Sequence, residues 1–276
     1  MKKILLPLTG RPLDRRAVAA AFLVAGRFGS HLHGLCVMPQ VEVRTSVESA
    51  ALPKALIEQL IRIGQADQVE VVATAQRLFD DARSRHAGVP AAWLQATGPL
   101  AETISEEARL ADLVVIAQAS DGTNAMGPVI EAALFGSGRP VLLAPLEEPA
   151  TLGDAVAVAW DGGSAAARAV GAALPFLLKA GTVTILSAAG ADAGRAADPQ
   201  RLVEYLALQG VTAAIRTVSP ADRPVSAALV DAAREAGCDL LVMGAYGHSR
   251  VREMVLGGVT QDVLRRPPPV PILMAH

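Results

Sequence analysis

Cysteine is nearly missing from this chain: 2 of its 276 residues, Cys36 and Cys238, each isolated among apolar neighbours with no Cys-x-x-Cys partner. A disulfide framework or a thiol-based redox pair therefore has no support, and both thiols read as reduced core side chains. Aromatic residues are also scarce at 3%, so the hydrophobic content of 51% is carried mostly by Ala, Val and Leu. Buried parallel strands covered by helices need that composition. No surplus of charge exists either. The formal net charge is −2, which offers no global attraction to nucleic acid or to an anionic membrane surface, so any recognition of phosphate must be local. Long apolar runs are missing as well, since nothing approaches the roughly 18 uninterrupted apolar residues of a membrane span. The opening "MKKILLPLTGRP" breaks at Pro7 and Gly10, too early for a signal-peptide core. It reads as a first strand, and a cytoplasmic location is the expectation.

What the chain does have is a repeat. "KILLPLTGRPLDRRAVAAAFLVAGRFGSHLHGLCV" from Lys3 matches in pattern "AVAVAWDGGSAAARAVGAALPFLLKAGTVTILSA" from Ala155. Each is an apolar strand, a polar turn, an Ala-rich helix and a second strand. Further on, "AETISEEARLADLVVIAQ" corresponds to "SAALVDAAREAGCDLLVMG", and "RPVLLAP" to "VPILMAH". The short strands "DLVVIA" and "DLLVMG" are almost continuously apolar where a half-exposed strand would alternate. Alternation with helices then implies right-handed crossovers and parallel sheets covered on both faces. The expected fold is α/β: two tandem doubly wound domains, 1–147 and 153–276, each with a five-stranded parallel sheet. The Pro-, Gly- and acid-containing link Pro145 to Asp154 separates them. The halves differ at one place, where Pro53 to His86 reads as a long amphipathic helix and its counterpart, about Pro199 to Gln209, is far shorter. The last strands, Val141 to Ala144 and Pro271 to Ala275, are expected to meet edge to edge, because an unpaired apolar edge invites pairing. One chain would then mimic a dimer, with a further homodimer left open.

In a doubly wound sheet, ligands bind outside the carboxyl ends of the strands where the strand order reverses. In the second half the loops meeting there are "WDGGS", Trp160 to Ser164, and "GAYGHSR", Gly244 to Arg250. Asp161 offers a carboxylate to a base amino group or a ribose hydroxyl. Gly244 and Gly247 free the backbone for close approach to an anion. The N–H groups of Gly257, Gly258 and Val259 open a helix whose dipole favours phosphate. Thr260 adds a hydroxyl, and His248 and Arg250 are candidate phosphate partners. His31 and His33 alternate onto one strand face without the further ligands a metal site needs, so the only metal expected is magnesium carried by a nucleotide.

The spacing Gly-x2-Gly-x9-Gly of Gly244, Gly247 and Gly257, with Asp161 after a first strand, resembles the universal stress protein family. There the last glycine is followed by Ser or Thr. The resemblance covers essentially the whole chain as two tandem family domains. It implies strand order 3-2-1-4-5, adenine near Asp161 and phosphates over the glycine loop, with ATP as ligand. It also implies a stress-response role exerted through conformation or partners. No P-loop lysine pattern and no His–Ser–Asp or paired-carboxylate arrangement is legible in the spacing, so no enzyme activity is expected. The chain departs from the pattern at Gly258, which stands where a hydroxyl is usual. The first half departs further: Thr9 replaces the aspartate, and Gly122 and Gly127 do not keep the spacing, so it is expected to be structural. Two other functions compete. One is a nucleotide-free scaffold. The other is an ATP pyrophosphatase-type enzyme, suggested by "DGGSAA" at Asp161 to Ala166, although its residues are in the wrong order.

Overall fold

A computed structural model describes residues 1–39, 54–119, 126–188, 198–245, 263–264 and 267–276. Its first half runs β1 (Lys3–Leu8), α1 (Asp14–Phe28), β2 (His31–Met38), α2 (Lys54–Arg85), β3 (Ala91–Thr97), α3 (Leu100–Ala108), β4 (Leu113–Ile116), α4 (Gly127–Glu131) and β5 (Val141–Leu143). A π-helical turn, Ala132–Gly136, extends α4. The second half repeats the order with β6 (Ala155–Ala159), α5 (Ser164–Leu177), β7 (Thr182–Ala188), α6 (Pro199–Leu208), β8 (Ala214–Val218), α7 (Val225–Glu235), β9 (Leu240–Gly244) and β10 (Ile272–Ala275).

The ten strands of the described residues form one sheet in the order β3-β2-β1-β4-β5-β10-β9-β6-β7-β8. Within each half the pairing is parallel and the order is 3-2-1-4-5. The halves meet where β5 and β10 pair antiparallel, Ile272 opposite Leu143 and Met274 opposite Val141. That is the edge-to-edge contact expected of the two last strands, and it removes one apolar edge from each half.

Alternation along β1 divides the core. Ile4, Leu6 and Leu8 enter one helical layer and Leu5 the other, and residues of β6 divide in the same way. Each layer runs through both halves, so the junction is part of the core. Outside the sheet, Arg27 at the end of α1 clamps the link: its guanidinium pairs with Asp154 and donates to the carbonyls of Gly153 and Lys179, both at 2.8 Å. Phe28 meets Phe176 edge to face at 4.8 Å. Cys36 and Cys238 are buried and unpaired. Among the described residues no helix is long and apolar enough to cross a membrane.

Candidate functional site

Strand register sets the two halves in correspondence. Lys3 lies opposite His31 as Ala155 lies opposite Thr182, and Ile4 opposite Leu113 as Val156 opposite Leu240. Counting on from these pairs, Thr9 corresponds to Asp161, Gly10 to Gly162, Asp14 to Ala166 and Ala117 to Gly244.

In the second half, β6 ends at Ala159 and the chain turns through Gly162 at φ +74° into α5. Such a left-handed φ is open to glycine with little strain. It brings the backbone N–H of Gly163 to 2.8 Å from Oδ1 of Asp161, which accepts it. The exposed Asp161 carboxylate thereby sits at the N-terminus of a 14-residue helix, where the helix dipole favours a negative charge. A second anion at this helix end would face that carboxylate, so the loop suits the hydroxyls or amino group of a ligand better than its phosphates.

Gly244 ends the neighbouring strand β9 and faces the same helix start. A Cβ on Gly244 would lie 2.5 Å from the backbone nitrogen of Ala166 and 2.7 Å from the carbonyl carbon of Ala165. Its lack of a side chain therefore lets β9 pack against the first turn of α5, the packing role that glycines between strand and helix also serve. The structure thus brings Asp161 and Gly244 together around one helix N-terminus, at the carboxyl ends of adjacent strands where the order reverses. Gly247, His248, Arg250, Gly257, Gly258, Val259 and Thr260 lie outside the described residues.

The first half builds the same loop differently. Thr9 does not leave it without an acid: Asp14, in the first turn of α1, folds back and accepts from Thr9 N at 2.8 Å, Thr9 Oγ1 at 3.0 Å and Gly10 N at 2.8 Å. Asp14 is only 1% exposed. Burial pushes its carboxyl above the usual range, and the hydrogen bonds from Thr9 and Gly10 oppose that rise. The sequence reading missed Asp14 because the acid stands five residues beyond the position compared; Thr-Gly followed by Asp at a helix start is the local signal. Above the loop lies α2. A Cβ on Gly10 would be 2.7 Å from the carbonyl oxygen of Val71 and 2.9 Å from its Cγ1, so the long helix closes over the turn. Beside it, Arg16 donates to the Gln118 carbonyl at 2.6 Å. The side-chain amide of Gln118 is buried without a hydrogen-bond partner among the described residues. An inward-facing acid under a helix is a structural device.

Two tandem doubly wound α/β units, each with its loop cluster at the strand-order reversal, define a class of folds that places ligands outside the carboxyl ends of strands. The sequence identifies the member of that class: the model of the Universal stress protein family matches residues 1–145 and 154–276, and the chain belongs to that family. Among solved structures, a universal stress protein from Archaeoglobus fulgidus DSM 4304 is similar at a TM-score of 0.71 and 20% identity, covering 99% of this chain and 97% of that one. A functionally unknown protein from Pseudomonas aeruginosa PAO1 is similar at a TM-score of 0.60 and 19% identity, covering 100% of this chain and 92% of the other. At such identities the likeness is one of fold. Comparison with curated proteins gives no match.

Proposed function

We propose that this chain is a stress-response protein that binds one adenine nucleotide, ATP with magnesium, in its second half, and acts through changes of conformation or partner. The observation that carries this reading is the exposed Asp161 at the N-terminus of α5, beyond the carboxyl end of β6 where the strand order reverses. The corresponding place in the first half is occupied by Val71 and the buried Asp14. Asp161 would hold the adenosine end. Gly247, Gly257, Gly258, Val259 and Thr260, with His248 and Arg250 beside them, would hold the phosphates through backbone donors, a hydroxyl and cations. Magnesium would come with the nucleotide, which supplies most of its ligands with water. This arrangement makes the protein a binder whose ligand shifts a population of states by its differential affinity.

A second reading, a scaffold without nucleotide, is favoured by one specific contact: the small residue at Gly244 is fully accounted for by the packing of α5. Denaturing freshly purified protein and weighing any released nucleotide separates the two readings. Adenine nucleotide at one per chain supports binding, and its absence, together with no uptake of added ATP, favours the scaffold.

A further inference from the structure

The turn glycine that α2 covers in the first half lines an open groove in the second. Gly10 and Gly162 share the same left-handed backbone, at φ +73° and +74°. At Gly10 the groove is filled by Val71 of the 32-residue α2. The counterpart helix α6 has 10 residues. Gly162 borders a groove of about 310 Å³ between α5 and α6, walled by Trp160, Ala167, Val170, Leu202 and Tyr205, with Arg201 also lining it.

The chemistry of this groove is unusual for a chain in which only 3% of residues are aromatic. Two of its walls are aromatic: the half-buried Trp160, and Tyr205, which is 42% exposed. Val170 and Leu202 make a buried apolar floor. The indole N–H of Trp160 is buried with no acceptor among the described residues, a group that native structures rarely leave unserved. Arg201 brings a guanidinium, which stacks on flat π-systems and attracts anionic substituents. Flat walls, an apolar floor and a neighbouring cation select a planar aromatic ring with an acidic substituent, and the volume suits one or two fused rings with room for that substituent.

We propose that the groove between α5 and α6 is a binding site for a small planar aromatic anion, distinct from the nucleotide site and independent of whether nucleotide binds. The ring lies along Trp160 and Tyr205 and the acidic group faces Arg201.

The chain has two tryptophans, Trp93 and Trp160, so Trp93→Phe leaves Trp160 as the sole indole reporter. Titration of that full-length variant with 8-anilinonaphthalene-1-sulfonate should give saturable quenching of Trp160 by energy transfer, with one probe per chain. Ala167→Leu, at an exposed helical position, fills the groove; Tyr205→Ala removes a wall at a half-exposed position. Each should weaken the probe at least tenfold while the thermal transition stays within a few degrees of the parent. Arg201→Gln should lower affinity for the sulfonate more than for neutral 1-naphthol. Saturating magnesium-ATP should leave the probe bound. The proposal is overturned if the probe fails to quench Trp160, if neither groove variant weakens it, or if ATP displaces it stoichiometrically, which would merge the groove with the nucleotide site.

Discussion

Gly10 and Gly162 stand at the same step of two copies of one fold, with the same backbone angle, yet one is roofed by a helix and the other borders an open groove. The acid near the turn differs in the same sense. Asp14 points inward under α2 and satisfies Thr9 and Gly10, whereas Asp161 is exposed at the start of α5. The sheet, its order and its register are the same in both halves. Duplication has therefore preserved what the core requires and let the loop face diverge, one copy folding its acid inward under α2 and the other leaving its acid exposed. Packing explains the preserved part: a one-residue slip would turn every strand side chain to the wrong layer.

The largest expected effects come from breaking this contrast at its glycines. Gly10→Ala should cost about 3 kcal/mol, the sum of left-handed strain, roughly 1–2 kcal/mol, and overlap with the Val71 backbone, roughly 1–3 kcal/mol. Gly29→Ala, at φ +59° where a Cβ would meet nothing within 4 Å, should cost only the strain, on the order of 1 kcal/mol. Urea unfolding of both variants measures the difference; equal losses would mean that α2 does not press on the first turn. Gly244→Ala should cost about 2 kcal/mol, because the new Cβ meets backbone atoms of Ala165 and Ala166 that cannot swing aside. The reverse change at the corresponding site, Ala117→Gly, should cost roughly 0.5–1 kcal/mol.

A smaller, pH-dependent effect belongs to Asp14. Its folded carboxyl titrates above the ordinary value of 3.8, so the folded state holds a proton that the unfolded chain has already released. Stability contributed by this group is fully present below that ordinary value and declines as pH rises through the folded one. Asp14→Asn removes that slope and sacrifices hydrogen bonds from Thr9 and Gly10, at about 1 kcal/mol near neutrality. The gap between wild type and variant should therefore be largest in acid and shrink as pH rises. A gap that widens with pH would contradict the burial argument. Smallest of all, Asp161→Ala should change stability by about 0.5 kcal/mol, the worth of an exposed charge at a helix N-terminus.

Much of this architecture was legible in the sequence. The continuous apolar runs "DLVVIA" and "DLLVMG" marked strands buried on both faces, and β4 and β9 are those strands. The stretch from Pro53 to His86 is indeed one helix, Lys54–Arg85. The route by which Asp14 serves the Thr9 loop was overlooked, because the acid stands five residues beyond the position compared between the halves. Nor was the seating of Val71 on Gly10, a contact 61 residues apart that periodicity does not encode. For the site, Asp161 and Gly244 were named by spacing, but spacing alone does not separate a glycine that admits a ligand from one that admits a helix. At Gly244 the distance to Ala166 makes that distinction.

The central claim is that one half is sealed and the other binds. Isothermal titration of the full chain with ATP and magnesium tests it most directly. The account predicts one site per chain, weakened by Asp161→Ala by on the order of 1.5–3 kcal/mol, the worth of a charge-assisted hydrogen bond, and unaffected by Asp14→Asn. A stoichiometry near two, or a single site that responds to Asp14→Asn and not to Asp161→Ala, would contradict it.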